Sequence, residues 1–206
     1  MASFWKCGFD GSRLTHTAFV QHVALLKWGV WRPQFIVLHN TGAPNLAKWM
    51  ATPGGEDQRI HNLEHYYRNQ QKWSSGPHLF ISPTGIFRGT PLTTAGTHTP
   101  SWNAISLGIE MAGDYEHEAF NEDVRENTVH ALAVLHTALG LSPEPFKLGV
   151  RGLHFHKDDT RTTHRACPGK NVSKADMVKR VRAAMVALLP GEHTLKDELK
   201  RPPSAC

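Results

Sequence analysis

The chain has 206 residues, of which 40% are hydrophobic and 20% are charged. This composition fits one globular domain with a sizeable core, and it excludes a disordered chain. The formal net charge is +5 and the isoelectric point lies near 9.2, which suits an anionic partner. However, no run of basic residues resembles a nucleic-acid-binding arm, so we expect no nucleic-acid partner.

The cysteines and the apolar segments limit where such a chain can work. Cys7, Cys167 and Cys206 are odd in number and scattered, which excludes a disulfide framework. No window approaches the roughly 20 apolar residues that span a bilayer, and the N-terminus has no apolar export signal. We expect a monomer in a reducing cytoplasm, without stable membrane insertion.

The first third of the chain alternates helical and extended patterns. Apolar residues at helical spacing predict a short helix within residues 16–30. The apolar run 35–38, which ends at His39, predicts a buried strand. Residues 44–53 indicate a loop or short helix, and residues 56–71 predict an amphipathic helix.

The pattern then changes to extended structure. Residues 78–89 predict a hairpin with its turn at Pro83-Thr84-Gly85, because two apolar runs flank turn-forming residues. Residues 90–104 are rich in Thr, Gly and Pro, which indicates a loop. The apolar run 105–111 predicts another buried strand, in which Glu110 lies near the end.

The last part of the chain returns to helices. Residues 121–139 predict a helix with one apolar face, and residues 148–153 an extended segment. Ser173 and Asp176 have the spacing of a capping box that opens a final helix. Strands alternating with helices predict an α/β fold: a single domain with a central mixed β-sheet flanked by helices.

A polar stretch from His154 to Gly169 carries three histidines, one cysteine and two aspartates, with almost no aliphatic residues. Such a stretch cannot form core, and imidazole and thiolate are the ligands that zinc prefers. The alternative is a polar loop that happens to be rich in histidine. His39 favours the metal site, because a strand that ends in a histidine holds that ligand rigidly at the rim of a sheet.

Three segments together resemble the zinc-dependent N-acetylmuramoyl-L-alanine amidases, a family that also includes phage endolysins and animal peptidoglycan recognition proteins. The segments are Val37-Leu-His-Asn-Thr41, Gly96-Thr-His98 through Asn103 to Glu110, and His156-Lys-Asp158 through Cys167-Pro-Gly169. Their order and separation are similar to those of the family over about residues 33–190. The resemblance implies the family's fold.

The resemblance implies three domain divisions and a ligand set for Zn²⁺. Residues 1–32 would be a helical extension packed on the domain, 33–190 the amidase catalytic domain, and 191–206 a flexible tail. The zinc ligands would be His39, His156 and Cys167. His156 is preferred to His154 because His-x-Asp begins the family's last ligand segment, and we expect His154 to point away; His164 remains a rival ligand.

The resemblance also implies catalytic residues. Glu110 matches the acidic residue that some members use as general base. Other members use a tyrosine at the position of Pro77, which excludes that base here. Arg165 stands where the family has a lysine, so it can stabilise an oxyanion by charge but cannot donate a proton at ordinary pH. His164 is a second candidate for that stabilising role.

Three residues match positions that line the family's substrate groove or lie beside them. His98 and Asn103 would contact the muropeptide. Trp102 would either stack on a sugar ring or pack inside the protein.

The implied function is hydrolysis of the amide bond between N-acetylmuramic acid and L-alanine of peptidoglycan or muropeptides, in a phage or prophage endolysin that lyses the host. The alternatives are a cytoplasmic muropeptide-recycling amidase and a non-catalytic peptidoglycan-binding module. A zinc peptidase that cuts within the stem peptide, and a closed structural zinc site, are further alternatives.

Overall fold

A computed structural model describes residues 11–144 and 151–188 of the chain. The described strands and helices follow one another in an α/β order. In chain order they are β1 (Arg13–Leu14), α1 (His16–Ala24), β2 (Phe35–Asn40), α2 (Leu46–Met50), α3 (Gly55–His65), a π-helical turn (Tyr66–Gln70), β3 (Leu79–Ser82), β4 (Gly85–Arg88), β5 (Ser106–Met111), α4 (Glu122–Leu139), β6 (Leu153–Phe155), a 3₁₀ turn (His156–Asp158) and α5 (Lys174–Leu188).

The six strands form one mixed sheet in the order β1-β4-β3-β5-β2-β6. The four strands β3, β5, β2 and β6 run parallel to one another, whereas β4 is antiparallel to both β1 and β3. The carboxyl ends of the parallel strands therefore meet at one edge of the sheet, where open α/β sheets bind ligands. The predicted α/β fold with a mixed sheet is confirmed.

The sheet separates a large core from two smaller apolar clusters, because successive side chains of a strand point to opposite faces. Ile36 and Leu38 of β2, with Ile109 of β5, belong to the large core. The residues between them, including Val37 of β2, point to the other face. His39 and Glu110 share that second face by the same alternation.

Helices cover both faces of the sheet. The helices α1, α4 and α5 pack on the large core, and α4 contacts both α1 and α5. On the second face, Trp49 of α2 and Ile60 of α3 pack with Phe80 of β3. Among the described residues, no helix has the length and apolar character needed to cross a membrane.

The helix boundaries differ in part from the sequence prediction. The first helix ends at Ala24 and does not reach residue 30. The helix predicted over 56–71 is α-helical only to His65 and continues as the π-helical turn. In that turn Tyr66 is 40% exposed, so it does not belong to the buried face of the helix.

The N-terminal segment also contributes a strand that the sequence did not predict. Arg13 and Leu14 pair with Phe87 and Ile86 of β4, so this segment extends the sheet as well as supplying a helix. A two-residue strand leaves no period-2 pattern to detect. The predicted extended segment 148–153 and the tail 191–206 fall wholly or largely outside the described residues.

The two long C-terminal helices, α4 and α5, each begin at a residue whose side chain caps the helix. The side chain of Asn121 accepts a hydrogen bond from the backbone N–H of Val124 at the start of α4. At α5, one half of the predicted capping box is present: Ser173 Oγ accepts a hydrogen bond from Asp176 N–H at 3.3 Å.

Replacing the cap of α4 gives a test of this local structure. Asn121→Ala removes the acceptor for Val124 N–H and should lower the free energy of unfolding by about 1 kcal/mol. Asn121→Asp keeps an acceptor oxygen and should remain close to the wild type. Urea unfolding followed by circular dichroism measures both; equal stability of all three proteins would show that the cap does not stabilise α4.

Candidate metal centre and groove

The site begins with a row of residues at the carboxyl ends of three parallel strands. His39 of β2 lies directly beside Glu110 of β5 in the strand register. On the other side, Leu38 of β2 is paired with Phe155 of β6, and His156 follows at once. The register therefore brings two histidines and a carboxylate from distant parts of the chain to one edge.

His39, His156 and Cys167 form a cluster in which the potential ligand atoms lie within 4.8 Å of one another. The rings of His39 and His156 have centroids 4.5 Å apart, and His39 Nδ1 lies 4.0 Å from Cys167 Sγ. His39 is 1% exposed and His156 is 7% exposed, whereas Cys167 is half-buried. The structure brings together the three residues that the family resemblance selected as zinc ligands.

A turn delivers Cys167 to the two histidines. The backbone N–H of Cys167 donates to His164 O at 3.2 Å, and Cys167 O accepts from Lys157 N–H at 3.0 Å. The second bond ties the turn to the 3₁₀ segment that carries His156. One short loop therefore positions two of the three potential ligands relative to each other.

His154 and His164, the other two histidines of the polar stretch, do not belong to this cluster of potential ligands. His154 is buried, with Nε2 at 2.9 Å from Arg151 O and its ring against Phe35 and Trp102, so it faces away from the cluster as expected. The ring of His164 is stacked on that of His156 with centroids 5.1 Å apart, but His164 is exposed. His164 thus lies beside the cluster, on its solvent side.

Burial keeps the cluster imidazoles neutral. Loss of solvent, followed by the proximity of other histidines, lowers the pKa of His39 well below its usual range. The same two causes lower the pKa of His156 to about 4. Neutral imidazole has a free lone pair, which is the form that binds a metal.

The thiol of Cys167 is in the opposite situation. Burial, with a smaller contribution from Glu110, raises the pKa of Cys167 to about 12. A thiolate would be costly here without a compensating cation, and a coordinating metal deprotonates a thiol outright. Two neutral imidazoles and this thiol are therefore a donor set suited to a divalent metal.

Glu110 faces the same groove as the cluster. Burial raises the pKa of its carboxyl to about 8, so the group holds a proton near neutral pH and can release it slightly above. A raised carboxyl pKa close to the working pH is typical of a general acid or base.

Arg165 and His164 both lie exposed along the groove. The guanidinium of Arg165 donates to two backbone carbonyls, Thr160 O at 2.8 Å and Asp159 O at 3.4 Å. These bonds use only part of its five N–H groups and hold the positive charge at the rim of the cluster.

The three residues predicted to contact substrate differ in their position relative to the groove. His98 borders the groove but is 7% exposed. Trp102 packs edge-on against Phe35 inside the protein. Asn103 Oδ1 accepts hydrogen bonds from the backbone N–H groups of His98 and Thr99. Among the described residues, those that line the groove do not include Trp102 or Asn103. Trp102 has the packing role that was one of its two predicted roles, whereas the substrate contact of Asn103 stays a prediction.

The groove itself has a volume of about 1090 Å³ and an aromatic wall that the sequence analysis did not assign to the site. Tyr67 and Trp73 line it, with their rings stacked at 5.1 Å, and Tyr67 also lies against Phe80. Phe80 is the register partner of Glu110 on β3. The aromatic wall therefore lies next to Glu110, on the side away from His39.

Comparison with known proteins points to one family. The profile of the Amidase_2 family, described as N-acetylmuramoyl-L-alanine amidase, matches residues 30–170. Peptidoglycan recognition protein 1 of Bos indicus is 32% identical over 69 residues, which are 32% of this chain and 36% of that protein. Peptidoglycan recognition protein 1 of Rattus norvegicus is 30% identical over 93 residues, 43% of this chain and 49% of its own length. The match thus spans a third to a half of these curated relatives.

Solved structures share the fold. The endolysin amidase LysCS from Clostridium intestinale superposes with a TM-score of 0.55 at 23% identity, covering 76% of this chain and 91% of LysCS. Drosophila PGRP-LB superposes with a TM-score of 0.56 at 18% identity, covering 81% of this chain and 85% of its own.

The raised pKa of Glu110 predicts a pH-dependent cost to stability in metal-free protein. In the unfolded chain the carboxyl ionises near its ordinary pKa of 4.5, whereas in the folded protein its pKa is about 8. The unfolded state therefore gains stability as pH rises through this interval. Glu110→Gln should leave stability unchanged near pH 4 and raise it by roughly 1–3 kcal/mol at pH 9, less than the full pKa shift would give because the side chain is only half-buried.

Urea unfolding in the presence of a chelator, at both pH values, measures this difference. Glu126→Gln, at an exposed position of α4, is the matched control and should show no such change. A variant at position 110 that tracks the control at pH 9 would contradict the assignment.

Proposed function

Because the chain belongs to the N-acetylmuramoyl-L-alanine amidase family, we propose that it is a zinc-dependent hydrolase of peptidoglycan. The bond cut joins the lactyl group of N-acetylmuramic acid to L-alanine of the stem peptide. The observation that carries this proposal is the cluster of His39, His156 and Cys167 with Glu110 beside it, all on one groove.

The residues of the cluster fit zinc. Zinc in catalytic sites takes three protein ligands from imidazole nitrogen, thiolate and carboxylate, and keeps one position open. The cluster supplies two neutral imidazoles and one thiol, and it opens onto the groove. His164, the possible fourth ligand of a closed structural site, is exposed and stacked on His156.

Zinc, when bound, would polarise the amide carbonyl and lower the pKa of a water molecule toward about 7. Glu110 accepts a proton from the attacking water as the new C–O bond forms. The same carboxyl then gives this proton to the L-alanine nitrogen as the C–N bond breaks. In the metal-free protein the pKa of Glu110 is about 8, and a nearby divalent cation would lower it and favour the ionised form that accepts the proton.

The charge that develops on the carbonyl oxygen needs a partner. Arg165 keeps its positive charge at every working pH and holds it at the rim of the cluster through the carbonyls of Asp159 and Thr160. His164, on the same rim, can donate a hydrogen bond. We assign oxyanion stabilisation to Arg165, assisted by His164.

The aromatic wall of Tyr67 and Trp73 gives the groove a surface on which a sugar ring or an apolar side chain of the substrate can pack. This wall takes the place of Trp102 in the proposed contact with substrate, because Trp102 is only 8% exposed.

For the biological role, we propose a phage or prophage endolysin that works on the wall polymer after leaving the host cytoplasm. The net charge of +5, which suits an anionic wall, supports this role. The fold itself does not choose, because a clostridial endolysin amidase and a Drosophila recognition protein share it equally. A non-catalytic binding module is the second candidate, since the curated relatives are recognition proteins.

Zinc content and cleavage, measured on the same preparations, test the proposal. The wild type should hold one zinc per chain and release stem peptides with a free L-alanine amino group, identified by mass spectrometry. His39→Ala and Cys167→Ser should lose zinc and cleavage together, because each removes a ligand. His61→Ala, at an exposed position of α3, should keep both.

Substitution of Glu110 separates binding of the metal from turnover. Glu110→Ala should keep the zinc and lower kcat by at least about a hundredfold, because the proton acceptor and donor is gone. Glu126→Ala should leave kcat unchanged. Full activity of the Glu110 variant would remove this residue from the mechanism, and zinc without cleavage in the wild type would favour the binding module.

The endolysin role predicts that the protein cleaves the intact wall polymer efficiently. Intact, insoluble sacculi should be cleared at a rate at least comparable to hydrolysis of soluble monomeric muropeptides at equal bond concentration. Turbidity loss and product release measure the two rates. Efficient cleavage of soluble muropeptides with intact sacculi left untouched would instead assign the protein to recycling.

A further inference from the structure

His98 lies directly behind His39, on the side away from Cys167. His39 Nε2 is 3.1 Å from His98 Nδ1, and the two rings are nearly perpendicular with centroids 5.2 Å apart. The other nitrogen of His39, Nδ1, faces Cys167 Sγ at 4.0 Å. The two nitrogens of His39 therefore have different partners, one inside the protein and one in the cluster.

The partners of His98 determine which ring nitrogens carry a hydrogen in this series of hydrogen bonds. His98 Nε2 lies 3.3 Å from the carbonyl oxygen of Ser106, which can only accept. Ser106 Oγ, at 3.5 Å, donates its own hydrogen to Trp102 O at 2.7 Å, so toward His98 it too can only accept. In the neutral imidazole of His98, Nε2 therefore carries the hydrogen, and Nδ1 presents a lone pair to His39.

This lone pair determines the tautomer of His39. Facing an acceptor, His39 must carry its hydrogen on Nε2, which leaves the lone pair of Nδ1 directed at the cluster. The hydrogen bonds therefore form a series: His39 Nε2–H donates to His98 Nδ1, and His98 Nε2–H donates to the carbonyl of Ser106. His39 Nδ1 is left free to be the ligand atom. A metal-binding histidine is commonly oriented by a hydrogen bond from its other nitrogen, and that bond also makes it a better ligand.

The fold confines the ring of His98 in this position. A Cβ atom at Gly108 of β5 would lie 2.3 Å from His98 Cγ, so the glycine makes room for the ring against the sheet. The side chain of Asn103 accepts from the backbone N–H of His98 at 2.8 Å and fixes the loop that carries it. On a third side, the ring of His78 lies 5.7 Å away.

We propose that His98 is a positioning residue of the metal centre, which sets the tautomer and orientation of His39, and that it does not bind substrate through its nitrogens. This inference rests on the proposed function, since the centre it serves is the proposed zinc site. It replaces the substrate contact that the family resemblance implies for His98.

The first test uses the wild-type protein without metal, labelled with ¹⁵N at histidine. Long-range ¹H–¹⁵N correlation spectra distinguish the two neutral tautomers, and the His39 signals are assigned from their loss in His39→Gln. We expect His39 to carry its hydrogen on Nε2. A hydrogen on Nδ1 would overturn the proposal, and this measurement decides the point even if the protein proves to bind no zinc.

The second test measures zinc affinity by competition with a chromophoric chelator. His98→Leu removes the acceptor and should weaken zinc binding by about ten- to a hundredfold. His98→Gln can accept from His39 and donate to Ser106, and should recover most of the loss. His136→Leu, which removes a buried histidine of α4, should bind zinc like the wild type.

Kinetics complete the distinction between positioning and substrate contact. If His98→Leu keeps wild-type zinc affinity and raises KM alone, His98 contacts substrate and the proposal fails. If the variant does not fold, the tautomer in the wild type and the affinity of His98→Gln still decide.

Discussion

The parallel register of β2 with β5 and β6 is the constraint on which the site depends. It pairs His39 with Glu110 and brings His156 in line after β6. The same register buries Ile36, Leu38 and their neighbours in the large core. Because side chains alternate along a strand, a slip of one residue would move both the apolar set and the site residues to the wrong faces. The hydrophobic core therefore specifies the geometry of the site.

Burial of this edge then sets the protonation of its groups. Removal from water lowers the pKa of the imidazoles and raises those of the thiol and the carboxyl, because each charged form loses solvation. The result is a largely uncharged pocket of strong donors. A divalent cation bound in this pocket would stabilise the thiolate of Cys167 between the two neutral imidazoles. The chemistry proposed for the site follows from this desolvation.

The loop between β4 and β5 shows that residue type and position in a motif do not settle a role. His98, Trp102 and Asn103 all lie in a segment that resembles the family's groove lining. In the structure, Asn103 fixes the loop backbone and Trp102 packs on Phe35. The aromatic wall comes instead from Tyr67 and Trp73, which follow α3. Their place in the groove depends on how the π-helical turn folds against β3.

The sequence by itself determined the class of fold, most of the strands and helices, and the three potential ligands. Strand alternation, helical spacing and turn residues are local, and the resemblance of the motif segments to a known family selected His39, His156 and Cys167. Only the tertiary structure decided what each polar side chain faces. The short strand β1, the packing of Trp102 and the hydrogen-bond order from Ser106 to His39 join residues far apart in the chain. Such contacts depend on register and packing, which no local pattern records.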